Sequence, residues 1–189
     1  MATATLHLPA GAVTVDAAFR EEVARLSGQP LELCFQCQKC ASGCYPTQEG
    51  DYTPNEIMRL IQYGARDAVL RSRTIWLCTS CETCGLRCPN GIRIAGVMDT
   101  LKQMAVERGI TPAGETGPMF HNLFLNEIRA AGRVHETMLM LKYKLKTGNL
   151  FADMKLGWQL FRRGKLPLVP RLKKDPAVRR IFERAGGQE

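Results

Sequence analysis

The sequence lacks the features that would place it in several common functional classes. Its richest apolar stretch, Met138 to Leu141, runs directly into Lys142 and Lys144, so no run is long enough to cross a membrane. Its first residues have no basic stretch leading into an apolar one, and therefore do not predict a secretory signal. We expect a chain without transmembrane segments in the cytoplasm, where cysteines stay reduced.

Candidate catalytic and nucleotide-binding residues are also scarce. The only histidines are His7, His121 and His135, and no serine or carboxylate arrangement accompanies them in the sequence. No glycine-rich phosphate loop or dinucleotide fingerprint is present, which leaves flavin and nucleotide sites without support. We assign no catalytic residue to this chain.

What the sequence does contain is a repeat of cysteines. The eight cysteines form two runs, each spaced Cys-x2-Cys-x2-Cys-x3-Cys and each followed by a proline. Every cysteine of the first run recurs 44 positions later, and no cysteine lies outside the runs. The first run is Cys34, Cys37, Cys40 and Cys44 with Pro46, and the second is Cys78, Cys81, Cys84 and Cys88 with Pro89.

This spacing is typical of cubane iron–sulfur clusters. Three thiolates separated by two residues each can wrap one face of a small cluster, while the fourth cysteine has left the loop and points away. Zinc would be saturated by two Cys-x2-Cys pairs and would not explain the third and fourth cysteines of each run. Disulfides do not suit a reducing compartment. We therefore predict two 4Fe-4S clusters, on the bacterial ferredoxin pattern.

The pattern resembles that of two-cluster ferredoxins, in which the fourth cysteine of each run ligates the other cluster. This resemblance implies a crossed ligand assignment. One cluster is expected on Cys34, Cys37, Cys40 and Cys88, and the second on Cys78, Cys81, Cys84 and Cys44.

Helical patterns follow both runs, and strand signals are weak. Thr53 to Glu56 forms a capping box with Pro54 at the first helical position, which predicts one helix reaching Arg71 or Arg73. A matching helix is expected after the second run, with Gly109 as its C-cap. The predicted inward positions are Ile57, Leu60, Ile61, Ala68 and Val69 in the first helix, and Ile94, Val97, Met98, Leu101 and Ala105 in the second.

We predict a mostly α fold, an α-helical two-cluster ferredoxin-like domain with a helical C-terminal extension. Residues 1–29 form an N-terminal arm and a short helix, residues 30–110 the two-cluster domain, and residues 118–189 a basic extension. The arm covers 1–13, where no pattern is clear, and a glycine- and proline-rich linker covers 111–118. The short helix is expected from Asp16 to Ser27-Gly28, with Phe19, Val23 and Leu26 inward.

The extension holds the positive charge of the chain. Residues 1–132 have 12 basic and 13 acidic side chains, whereas residues 133–189 have 14 basic and 5 acidic ones. This favours an acidic protein surface, an anionic membrane face or nucleic acid as a partner, unless the charges only solvate helices. Helices are expected over 119–130, 134–146, 150–161 and from Asp175-Pro176. The apolar stripe Met138 to Leu141 with Leu145 is interpreted as core packing or as a docking surface.

One segment points to a particular family. Ile75 to Cys84, with Arg87-Cys88-Pro89 after it, resembles the C subunit of heterodisulfide reductase, and the first run and the Tyr52-x-Pro54 helix start fit as well. The resemblance covers roughly residues 30–110. It implies an electron-transfer subunit between a flavin-containing A subunit and a cysteine-rich B subunit where a disulfide or other sulfur substrate reacts. This sequence has no Cys-Cys pair for that chemistry.

Other functions remain to be separated from this one. The cysteine pattern also suits a mobile two-cluster ferredoxin, or an iron–sulfur subunit of the succinate dehydrogenase or glycolate oxidase type. Those subunits usually add a plant-type 2Fe-2S domain or a cysteine-rich domain, and this sequence has neither. The basic extension has few aromatics among its charges and no known motif, so we expect no nucleic-acid partner.

Overall fold

A computed structural model of the protein describes residues 4–8, 11–112, 116–148, 154–164 and 176–186. The chain divides into two compact units, Met1–Glu115 and Thr116–Glu189. Both consist mainly of helices, which confirms the predicted mostly α fold. The functional division at residues 29/30 and 110/118 stays a prediction.

The N-terminal segment departs from the predicted arm, because it forms an antiparallel hairpin. Strand β1, Ala4–Leu8, pairs with strand β2, Gly11–Val15, in the register Leu6 opposite Val13. Polar and apolar residues alternate in β1, and Thr14 lies between Val13 and Val15 in β2, which is the period of a strand, but each segment is only five residues long. The interpretation of residues 1–13 as unpatterned was wrong for the part that the structure describes.

Helix α1, Ala17–Ser27, has the predicted ends. The Asp16 carboxylate accepts the backbone N–H of Ala18 at 3.0 Å, and Gly28 ends the helix in the left-handed region at φ 63°. Phe19 and Val23 are fully buried as predicted. Leu26 is 47% exposed, so its predicted inward position was wrong.

Three short helices replace the single helix predicted between the cysteine runs: α2, Pro54–Gln62, α3, Arg66–Leu70, and α4, Arg73–Leu77. The capping box at Thr53 and Glu56 is present. Gly64 breaks the helix because it adopts φ 75°, and its carbonyl accepts the backbone N–H of Asp16 at 2.8 Å.

The remaining helices of the first unit are α5, Thr83–Leu86, and α6, Ile94–Glu107, which Gly109 follows at φ 62° as predicted. One core joins α1, α2, α3, α4 and α6, with Trp76 among its members. It includes the predicted inward positions Ile57, Leu60, Ile61, Val69, Ile94, Val97, Met98, Leu101 and Ala105, while Ala68 is partly buried against it.

The second unit contains α7, Gly117–Ala131, α8, Glu136–Thr147, α9, Met154–Arg162, and α10, Pro176–Gly186. Each begins within a few residues of a predicted helix, although residues 150–153 and Asp175 lie outside the described residues. Between α7 and α8, Leu123 and Leu139 are buried and Lys142 pairs with the buried Glu127. Of the predicted apolar stripe, only Leu139 is core. Met138, Met140, Leu141 and Leu145 are all exposed.

None of the helices in the described ranges is long and apolar enough to cross a membrane.

Candidate iron–sulfur centres

Both cysteine runs lie in loops that pack against the core of the first unit. The first run begins after a 3₁₀ turn, Leu31–Leu33, and the second begins at Cys78, where α4 ends. Cys34, Cys78, Cys84 and Cys88 pack against the core, and Cys40 is only 7% exposed. The central cysteine of each run, Cys37 and Cys81, is exposed. Both loops therefore place the second cysteine of the run toward solvent.

The backbone repeats as closely as the cysteines do. Gln36 and Gln38 flank Cys37 with φ near 63° and 62°, and Ser80 and Glu82 flank Cys81 with φ 52° and 60°. These four are the only non-glycine residues with positive φ in the described part of the chain, and the two pairs are 44 positions apart. Alternation of left- and right-handed residues turns successive backbone N–H groups toward one point and forms an anion-binding concavity. Each such residue costs about 1–3 kcal/mol, which the site must offset.

A side chain of the following helix forms a hydrogen bond with each loop at the same position of the repeat. Asn55 Nδ2 donates to Gln36 Oε1 at 3.3 Å, and Ser80 Oγ donates to Asp99 Oδ1 at 2.7 Å. Residues 36 and 80, like residues 55 and 99, are related by the 44-residue repeat. The repeat thus extends from the ligands to the contacts that support them.

The first cysteine of each run is held through its carbonyl oxygen. Gln62 Nε2 donates to the Cys34 carbonyl at 3.0 Å, and also to Leu31 O at 3.0 Å. At the second run Lys102 Nζ donates to the Cys78 carbonyl at 2.8 Å. A neutral amide therefore supports the first run where a cation supports the second.

An acidic side chain fixes the helix that leads into the second run. Asp51 accepts hydrogen bonds from Ser72 Oγ at 2.6 Å, Arg73 N at 3.0 Å and Thr74 N at 3.1 Å. Burial raises the pKa of Asp51, but the hydrogen bonds from Ser72 and from these backbone N–H groups outweigh it and hold the pKa below its ordinary value. The carboxylate thus caps α4, whose last residue precedes Cys78.

The thiols influence one another within and between the runs. Burial, and to a lesser extent the nearby Cys34, Cys84 and Cys37, together raise the pKa of Cys40 to about 11. Burial also raises the pKa values of Cys78 and Cys84. The charge of Cys44 contributes to both of those shifts, so this first-run cysteine lies near the second run.

Exposed Cys81 differs from the buried ligands. A hydrogen bond with the Thr83 hydroxyl, at 3.5 Å, lowers the pKa of Cys81. The thiolate, which is the form that binds metal, is thus favoured at Cys81 and disfavoured at buried Cys40.

A cavity collects cysteines from both runs. It is lined by Cys44 from the first run and by Cys78, Cys81 and Cys84 from the second, and Ile94, Ala95 and Met98 of α6 form an apolar wall. Its volume is about 460 Å³, including the part open to solvent. Four thiols around an apolar cavity are the ligand set and surroundings that a cubane cluster requires.

Cys88, the fourth cysteine of the second run, is positioned by its neighbours. Asn90 Nδ2 donates to the carbonyl of Leu33, and Arg93 N donates to Gln29 Oε1 at 2.8 Å. Both bonds tie the segment after Cys88 to the segment before the first run. Among the described residues no three His, Cys, Asp or Glu side chains converge on a single metal ion.

Residues 33–93 match the family model for a 4Fe-4S dicluster domain. This stretch is such a domain. The match spans both runs, which confirms the predicted pair of 4Fe-4S clusters as cofactors.

Part of this chain is similar to curated relatives. The chain is 32% identical over 95 residues to the C subunit of an H2:CoB-CoM heterodisulfide,ferredoxin reductase from Methanothermobacter marburgensis, a match covering 50% of this chain and 51% of the relative. It is 35% identical to the iron–sulfur C subunit of a CoB–CoM heterodisulfide reductase from Methanopyrus kandleri, covering 42% and 41%. The chain is also 36% identical to the C subunit of a ferredoxin:CoB-CoM heterodisulfide reductase from Methanosarcina acetivorans, a match covering 42% of this chain and 32% of the relative.

The chain thus spans about half the length, or less, of these curated relatives. The predicted resemblance to heterodisulfide reductase C subunits is confirmed.

Sequence reasoning missed several residues of the dicluster domain. The left-handed residues carry no glycine signal, and Gln62, Lys102 and Asp51 act over long distances in the chain. One signal was available for the left-handed residues. When the 44-residue repeat is extended from the cysteines to their neighbours, it pairs Gln36 with Ser80 and Gln38 with Glu82.

Proposed function

We propose that this chain is an electron-transfer subunit of a heterodisulfide reductase-like complex. It would relay electrons between a flavin-containing A-type subunit and a cysteine-rich B-type subunit that acts on a disulfide or another sulfur substrate. A 4Fe-4S cluster takes up and returns one electron at a time, and this chain provides ligands for two of them. The proposal rests on the dicluster domain and on the names of the relatives.

The observation that supports a relay best is the exposure of one ligand in each run. Cys37 and Cys81 are exposed, while their neighbours face the core. Large apolar side chains lie beside the runs at the surface: Phe35 is 62%, Tyr45 87% and Leu86 89% exposed. Electrons could thus enter at one run and leave at the other, through surfaces suited to contact with other subunits.

The crossed ligand assignment belongs to this proposal. Cys34, Cys37, Cys40 and Cys88 would hold one cluster, and Cys78, Cys81, Cys84 and Cys44 the other. The cavity that joins Cys44 to the second run supports the second set. The bonds of Asn90 and Arg93 to the start of the first run support the first set. Shared loops would keep the two centres close enough for electron tunnelling.

The rest of the chain enters the proposal as the predicted domains: residues 1–29 as an N-terminal segment, 30–110 as the two-cluster domain and 118–189 as a basic extension. The extension would contact an acidic protein surface, for which its exposed Met138, Met140 and Leu141 add apolar area.

The ligand sets are tested by serine variants of the anaerobically purified chain, read by iron content and by EPR of the reduced protein. We expect C44S to lose the same EPR signal as C84S, and C88S the same signal as C40S. If C44S instead resembles C40S, each run holds its own cluster and the crossed assignment is wrong.

The relay is tested by anaerobic affinity purification of the tagged chain from its native cell. We expect a flavoprotein and a cysteine-rich subunit to elute with it and to stay bound in high salt. Recovery of the chain alone, with its clusters intact, would instead identify a mobile two-cluster ferredoxin.

A further inference from the structure

The side chain that holds the carbonyl of the first cysteine is charged at the second run and neutral at the first. Beneath the second run, Lys102 donates to the Cys78 carbonyl. The residue related to Lys102 by the 44-residue repeat is Met58, which is fully buried and uncharged. The donor that takes over at the first run is Gln62, a neutral amide. Among the described contacts, an enclosed cation holds the carbonyl of the first cysteine only at the second run.

Lys102 is held where its charge is effective. Its side chain is 18% exposed, and its Nζ lies 2.8 Å from the Cys78 carbonyl. Water screens an enclosed charge less than one at the surface. Lys39, which lies within the first run, is exposed and therefore acts more weakly.

The carboxylate near Lys102 does not cancel this charge. Asp99 lies 3.2 Å from Nζ, but its side chain is 54% exposed and it accepts the Ser80 hydroxyl as well. A second pair near this run, Arg93 and Glu82 at 3.0 Å, is neutral as a whole.

We propose that Lys102 makes the centre on the second run the more easily reduced of the two. A positive charge beside a centre that gains an electron stabilises the reduced state and raises its reduction potential. Lys102 is a positioning residue, since it acts through the Cys78 backbone and through its charge. The inference rests on the proposed function only in requiring both clusters.

The experiment is an EPR-monitored redox titration of the anaerobic full-length chain, which gives an upper and a lower potential. K102Q removes the charge and keeps a hydrogen-bond donor. Q62K places a positive charge at the first run. The Gln62 Oε1 atom is buried and makes no hydrogen bond, so its removal in this variant breaks none. R59Q, which changes an α2 arginine stacked on Tyr63, is the matched loss of a cation away from the Lys102 contacts.

We expect K102Q to lower the upper potential and leave the lower one in place. A tenfold change in the ratio of reduced to oxidised cluster would be a shift of about 59 mV for one electron. Q62K should raise the lower potential by a similar amount, K102Q/Q62K should reverse the order of the centres, and R59Q should change neither.

Three results would overturn the proposal: K102Q shifts the lower potential, it shifts both equally, or it shifts neither. A chain that binds about eight iron atoms in every variant retains both clusters, so such a result would count against Lys102 alone. A wild-type chain without two cubane signals would refute the proposed function instead.

Discussion

Replacing Asp51 by asparagine should weaken the second run from a distance. The Asp51 carboxylate accepts the Ser72 hydroxyl and the backbone N–H groups of Arg73 and Thr74, which begin α4. It also accepts the Thr74 hydroxyl at 2.9 Å. Since α4 is five residues long and ends just before Cys78, a change at its first turn reaches the start of the second run.

The size of the effect follows from these bonds. A hydrogen bond to a charged group contributes about 1.5–3 kcal/mol, against about 0.5–1.5 kcal/mol for a neutral one. The amide introduced by D51N would keep one acceptor oxygen without the charge, and because position 51 is exposed, we expect a loss of about 1–2 kcal/mol. D51A should cost about 2–3 kcal/mol, because the nearly fully buried Ser72 would lose the carboxylate that accepts its hydroxyl.

The effect depends on pH in a defined direction. Because folding lowers the pKa of Asp51, its contribution is complete above the ordinary carboxyl pKa of about 3.9 and is lost as the pH falls through the lower, folded value. The free energy of unfolding by urea should therefore differ between wild type and D51N by a constant amount near neutral pH, and the difference should shrink in acid.

The control is E49Q, which removes an exposed carboxylate two residues away and should change the free energy of unfolding by less than about 0.5 kcal/mol. Iron release to a chelator should accelerate in D51N at the second cluster only. If D51N and E49Q unfold alike at neutral pH, Asp51 does not anchor α4.

Two further predictions follow from the backbone and the thiols. G64A should lower the free energy of unfolding by more than about 2 kcal/mol, because its Cβ would lie 2.3 Å from the Asp16 carbonyl oxygen. Gly28 also has a left-handed backbone but open space around it, so G28A should cost only about 1 kcal/mol. Equal losses of the two variants in urea unfolding would contradict the role of the Asp16 contact. Because burial raises the pKa of Cys40 to about 11, cluster assembly must remove protons from thiols. Assembly on the apo chain should then release protons and accelerate as the pH rises toward about 11, and a rate without pH dependence would refute this.

Sequence reasoning succeeded where the determinants are local. The Asp16 cap, the capping box at Thr53 and the glycine after α6 were predictable because each is formed by residues a few positions apart. The cluster ligands were predictable because thiolate chemistry and spacing leave few alternatives.

It failed where distant segments decide the conformation. Gly64 breaks the predicted helix by packing against the backbone at Asp16, a contact that no local pattern contains. The four left-handed residues beside Cys37 and Cys81 are glutamine, serine and glutamate, so propensity gave no sign of them. Leu26 has helical spacing but no neighbour to cover it.

The cavity at the second run also bears on how the protein is made. Its wall begins at Gly43 and is not closed until Met98 of α6. A chain emerging from the ribosome therefore exposes all four thiols of the first run before the residues that close this cavity exist. Iron supplied early would meet thiols without their final partners, so productive loading belongs after α6 has been synthesised and packed. Insertion of iron would then act as a check that the first unit has folded.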